Sequence, residues 1–152
     1  MKVAKGDPNV NRSTREWYVT AVLAVAALFY TGTGVWAFAG PQSFYDTIAT
    51  YPPYNAHLFR DIGAFLLGLG AAHIGALAWR DVRFVALLGG TVAAGFHWVS
   101  HVIDRHQGGT AADPWLTGAF ALLLLVGLIL RATARSNNAP AGVPRTSEGG
   151  DR

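Results

Sequence analysis

The 152-residue chain has no cysteine, and only 14% of its residues are charged. Without thiols it can form no disulfide, no thiolate metal site and no cysteine nucleophile. A glycine-rich phosphate loop, a serine-nucleophile elbow and any dense run of carboxylates are also missing. Kinase, ATPase and hydrolase chemistry therefore has no motif to stand on. Nor are there the repeated halves with broken helices that mark many transporters.

What the chain has is hydrophobic length: 51% of its residues are hydrophobic, gathered into four long runs between Tyr18 and Leu130. Since one crossing takes roughly 20 apolar residues, this predicts an all-α, polytopic membrane protein built as an antiparallel bundle of four transmembrane helices. The spans are expected at 17–38, 58–79, 84–103 and 115–130, after a polar tail over 1–16. Residues 39–57 carry Pro41, Pro52 and Pro53 among aromatics and read as a cap on the membrane surface. Phe44, Tyr45, Tyr51 and Tyr54 there suit an interfacial belt or a lid. From 135 to 152, Pro, Gly, Ser and Asn predominate without apolar periodicity, which predicts a disordered tail. Ala37-Phe38-Ala39 has the small-x-small form of a signal-peptidase site. The apolar stretch before it exceeds the roughly 7–15 residues of a signal core, so the first span is expected to remain.

The net charge of +3 could suggest nucleic acid, but the basic residues sit at span ends and in the tails. Lys2, Lys5, Arg12, Arg15, Arg80, Arg83, Arg131, Arg135, Arg145 and Arg152 fall on one side, against Arg60 and Arg105 on the other. That bias predicts both termini in the cytoplasm, a bacterial plasma-membrane location and no nucleic-acid partner.

Polar residues inside the runs recur at helical spacing: His57 with Asp61, and His97 with His101 and Asp104. Residues four apart share a helix face, and the tight turn at 80–83 predicts a hairpin in which the two sets meet at one depth. Below them, Ala64, Gly68, Ala72 and Ala76 on one helix and Ala86, Gly90 and Ala94 on the other predict close helix packing. Imidazoles and carboxylates converging from two helices suit a transition-metal ion, with His57, Asp61, His97, His101 and Asp104 as ligands. His57, His97 or His101 could alternatively be an axial haem ligand. A third possibility is a hydrogen-bonded structural cluster in which Arg60 pairs with Asp61 or Asp104. His73 falls on another face and reads as a donor to a neighbouring helix, while Thr31, Gly32, Thr33 and Gly34 reach the depth of the site and could lend hydroxyls. His106 reads as solvated. No particular residue is marked as catalytic.

Pro41-Gln42-Ser43-Phe44-Tyr45 and Tyr54 through Ala64 resemble a pattern in small four-span membrane proteins of actinobacteria. The layout over about 17–134 is similar to DoxX-type and anthrone-oxygenase-like proteins. The resemblance implies the four-span fold and an association with oxidoreductases. The expectation is thus a metal- or haem-binding, redox-linked membrane protein. The alternatives are a noncatalytic accessory or assembly protein, with a membrane-protein partner or a second copy of itself, and a binder of a lipophilic small molecule such as a quinone.

Overall fold

A computed structural model describes residues 8–136. Of the tail expected over 135–152, residues 135 and 136 continue the last helix, and 137–152 lie outside the described residues, as do residues 1–7. The described chain is all-helical: α1 Pro8–Ala39, α2 Pro41–Thr47, α3 Ala56–Ala78, a single 3-10 turn Arg80–Val82, α4 Arg83–Ile103 and α5 Asp113–Ser136. Four helices are long and apolar enough to cross a membrane, over Arg12–Ala39, Ala56–Ala78, Arg80–Ile103 and Asp113–Ala134. They overlay the four predicted spans. The first starts earlier than expected because nothing between Pro8 and Gly40 breaks it. Large apolar side chains such as Leu28, Phe65, Phe96 and Trp115 lie bare on the outer faces, as lipid-facing positions should.

Local chemistry sets the ends. Asn55 caps α3, its side chain accepting from the backbone N–H groups of His57 at 3.0 Å and Leu58 at 3.2 Å. Pro41 opens α2 at a position where a missing N–H costs nothing. The cap folds as α2 and an extended stretch, with Phe44 and Phe59 buried beside Ala37 and with Tyr45 and Tyr54 packed over them. Tyr54 stacks on Phe59 at 5.9 Å. The 3-10 turn joins α3 to α4 at the other end, so the molecule has a cap end and a turn end.

The helices pack as two pairs, α1 on α3 and α4 on α5, with smaller contacts between the pairs. In α1–α3 the backbones touch. A Cβ on Gly34 would stand 2.9 Å from the Leu67 nitrogen, one on Gly63 would stand 2.8 Å from the Gly34 oxygen, and one on Gly70 would stand 3.0 Å from the Thr31 nitrogen. This corrects the expected packing. Ala64, Gly68 and Ala72 are exposed, and nothing lies within 4 Å of where a Gly68 Cβ would be. The α3 face that is used carries Phe59, Gly63, Gly70, His73 and Ala76, and most of it is turned to α1 rather than α4. On α4 the expectation holds: Ala86, Gly90 and Ala94 are buried. Apolar surface gains little from meeting apolar surface in lipid, so the closest fit decides the pairing, and Gly63 and Gly70 admit a backbone where Gly68 has no neighbour.

Two polar features sit in this packing. His73 is fully buried; its Nδ1 donates to the Leu69 carbonyl of its own helix at 2.8 Å, not to a neighbour as expected. Its ring lies 5.2 Å from that of Tyr30, whose hydroxyl donates to the Gly90 carbonyl at 3.2 Å. At the turn end, Glu16 of α1 faces Arg83 at 3.2 Å, Arg131 at 3.7 Å and Arg80 at 4.0 Å. Arg83 is only 4% exposed and donates through Nε to the Ala76 carbonyl at 3.0 Å. Arg131 donates to the Arg80 carbonyl at 2.8 Å. One carboxylate thereby ties α1, the turn, α4 and α5, and Arg83 adds α3.

Two stability measurements in detergent follow. Gly63→Leu should lower stability by about 2 kcal/mol or more through overpacking, whereas Gly68→Leu should leave the unfolding midpoint unchanged; equal effects would mean that the α1–α3 contact is misplaced. Glu16→Ala strands the buried Arg83 and should cost about 3 kcal/mol or more. Adding Arg83→Met in the same chain should recover part of that loss.

Candidate functional site

The five candidate ligands fall into separate groups. His57 and Asp61 form an i, i+4 pair at 3.5 Å with side chains 86% and 53% exposed. Such a solvated pair contributes little. Asp104 ends α4 and accepts from Gln107 at 2.8 Å. Arg60, expected beside Asp61 or Asp104, pairs with neither. Among the described residues, no group of three or more His, Asp or Glu side chains is placed to hold a metal ion. Thr31 and Thr33 do not reach the candidate ligands: Thr31 packs against Gly70, and Thr33 donates to the Phe29 carbonyl at 2.6 Å. His106 accepts from Arg105 at 3.0 Å on the exposed loop.

His97 and His101 do come together. One turn apart on α4, they point Nε2 at Nε2 across 3.3 Å, with their rings edge to face at 4.6 Å. Two imidazoles cannot both donate along one line. A hydrogen bond between them requires one Nε2 to carry the hydrogen and the other to accept it. The second nitrogen of His101, Nδ1, lies 3.0 Å from the Tyr51 hydroxyl and 4.0 Å from Asp113 Oδ2. His101 and Asp113 are mostly covered, at 14% and 17% exposure, and His97 is open.

Tyr51 arrives from the cap through a glycine contact. The Gly109 N–H donates to the Thr50 carbonyl at 3.4 Å, and Gly109 has a φ of 72°. A Cβ there would stand 2.5 Å from the Tyr51 hydroxyl and closer still to Asp113. Only glycine combines that backbone conformation with that lack of bulk. Asp113 is fixed in turn by Thr110, whose N–H donates to Oδ2 at 2.8 Å and whose hydroxyl donates to Oδ1. The Thr-x-x-Asp spacing at 110–113 has the form of a capping box and could have flagged Asp113 from sequence. Tyr51, expected as belt or lid, is instead the link between cap and histidines.

The arrangement is a chain of exchangeable hydrogens, Tyr51 to His101 to His97, beside one carboxylate. The phenol hydrogen can sit toward His101 Nδ1, which places the imidazole hydrogen at Nε2. Reversed, the phenol oxygen accepts from Nδ1–H and leaves Nε2 as a bare lone pair. That second state suits a cation. Two nitrogens about 2.0–2.1 Å from one tetrahedral ion lie roughly 3.3 Å from each other. Comparison of the chain with protein-family models, curated proteins and solved structures gave no match.

Burial first, then the negative charges of Asp113 and Asp104, push the Tyr51 hydroxyl above its ordinary value. The folded protein thus holds this proton more tightly than the unfolded chain does. Tyr51→Phe should lower stability by about 1 kcal/mol at neutral pH. The difference from wild type is complete below about pH 10 and shrinks as pH rises from there through the raised value. Unfolding midpoints of the two proteins against pH check it; a difference that widens above pH 10 would contradict the placement of Tyr51.

Proposed function

We propose that the chain is a multi-pass protein of the bacterial plasma membrane, an antiparallel four-helix bundle with both termini cytoplasmic, whose outer cap end binds a transition-metal ion for redox-linked chemistry. The location and orientation rest on the four apolar helices and on the ten Lys and Arg of the turn end and tails against Arg60 and Arg105 at the cap end. The metal reading rests on one observation, the 3.3 Å spacing of His97 Nε2 and His101 Nε2.

In this reading the His101 hydrogen sits on Nδ1 and the ion takes the bare Nε2 lone pairs of both rings, in competition with protons. Tyr51 accepts from His101 Nδ1–H and thereby selects the ligating tautomer and holds the ring. Water or a substrate fills the remaining positions. Nitrogen ligands with open sites favour copper, zinc or iron, of which copper and iron carry electrons. His57, Asp61 and Asp104 are not needed as ligands. A haem is less well served, because His97 and His101 leave the same helix on the same side and cannot bind opposite faces of one iron.

A noncatalytic accessory role is the second reading, favoured by the Tyr51–His101 bond, which fastens the cap to α4. Copper and zinc titrations of protein purified without chelator separate the two. The metal reading expects one ion per chain, loss of measurable binding in His97→Ala or His101→Ala, and no loss in His57→Ala. No binding by wild type, with His101→Ala lowering the unfolding midpoint, would give the structural role instead. A Soret band in the purified protein would establish haem.

A further inference from the structure

The turn end carries more positive charge than it can neutralise. Arg80, Arg83 and Arg131 all address Glu16, so three guanidinium groups share one carboxylate and two charges remain. Asp81, beside them in the turn, pairs with none of the three. The charges on Arg83 and Arg131 are not simply solvated: Arg83 is 4% exposed, the Arg131 side chain is 16% exposed, and Glu16 is 23% exposed. Arg131 uses one terminal nitrogen on the Arg80 carbonyl and the other on Glu16, while its Nε is buried with no partner. Arg80 differs. Its side chain is 74% exposed and stands 4.0 Å from Glu16, leaving most of its donors free.

Uncompensated charge at the edge of an apolar bundle is costly and calls for an anion. Trp17 and Trp79 fix the depth at which that anion must lie. They directly follow Glu16 and precede Arg80, and they are 71% and 65% exposed. Exposed tryptophans at the ends of apolar helices sit at the level of lipid head groups. A phosphate with two free oxygens matches the planar fork of a guanidinium, and arginine stems reach along apolar surface to present it.

We propose that the turn end is a binding site for the phosphate of an anionic lipid headgroup, with Arg80 as its principal donor and Arg131 and Arg83 supplying the field behind it. The lipid completes the charge balance that Glu16 leaves unfinished, and so stabilises the junction of α1, α4 and α5. This site is separate from the histidine pair and does not rest on the metal reading.

The test is the thermal unfolding midpoint of the full chain in a neutral detergent with added phosphatidylglycerol, phosphatidylcholine or inorganic phosphate. Phosphatidylglycerol should raise the midpoint by about 3 °C or more, with no rise from the other two. Arg80→Gln, compared with its own midpoint in phosphatidylcholine, should lose most of that gain, and Arg60→Gln at the cap end should retain it. An equal rise with phosphatidylcholine, an equal rise with inorganic phosphate, or an undiminished gain in Arg80→Gln would each overturn the proposal. Native mass spectrometry of the wild-type chain gives a reading that needs no variant. Preferential retention of phosphatidylglycerol supports the site, and equal retention of both lipids overturns it.

Discussion

Apolar helices in lipid gain little from hiding apolar surface against each other, so polar ties and close backbone fit must select one arrangement among many. In this chain the decisive tie is Glu16. Its carboxylate faces Arg83, Arg131 and Arg80, and Arg83 is in turn bonded to the Ala76 carbonyl at the end of α3. Every long helix is therefore held at one end by a group that would be stranded if that helix left. A buried pair of this kind need not stabilise more than an apolar replacement would, yet breaking it on one side is expensive. Its value lies in specificity: it fixes which helix ends meet, and the registers further along the bundle follow.

Those registers are visible at two levels. With the turn end fixed, α1 advances along α3 so that Thr31 meets Gly70 and Phe38 meets Gly63, and neither glycine leaves room for a Cβ. Between the pairs, His73 fills the space that Gly90 leaves open, and Tyr30 closes the Gly90 carbonyl. A large polar ring beside a missing side chain is a complementary fit. Nδ1 of His73 is satisfied by its own helix, while Nε2, turned to Gly90, is buried without a partner.

The sequence shows the helices more clearly than their partners. Four apolar runs bounded by Pro, Gly and charge locate the spans, because length and hydropathy are properties of each segment alone. Pairing is a property of two segments. On α3, small residues fall on more than one face, Ala64, Gly68 and Ala72 on one and Gly63 and Gly70 on another, and nothing within α3 says which face receives a backbone. The same limit applied to the polar residues. Spacing of four correctly joined His97 to His101 and His57 to Asp61, since both partners lie on one helix. It could not join α3 to α4 across space, nor bring in Tyr51 and Asp113, which arrive through a glycine contact and a loop. Glu16 stands in the sequence as one acid in a basic tail, though an acid at the cation-rich end of a span is itself a signal.

The two ends also differ in how firmly they are held, and that difference bears on where chemistry can occur. The turn end is locked by charge and by a nearly buried guanidinium. The cap end is closed over α4 and α5 by lighter ties, one Tyr51–His101 hydrogen bond and a long backbone bond between Gly109 and Thr50. Such contacts open at far lower cost than the bundle unfolds. The His97–His101 pair can rearrange with only Tyr51 and the cap adjusting. The groups with exchangeable hydrogens thus lie at the lightly tied end, and the charged tie that orders the helix ends lies at the other.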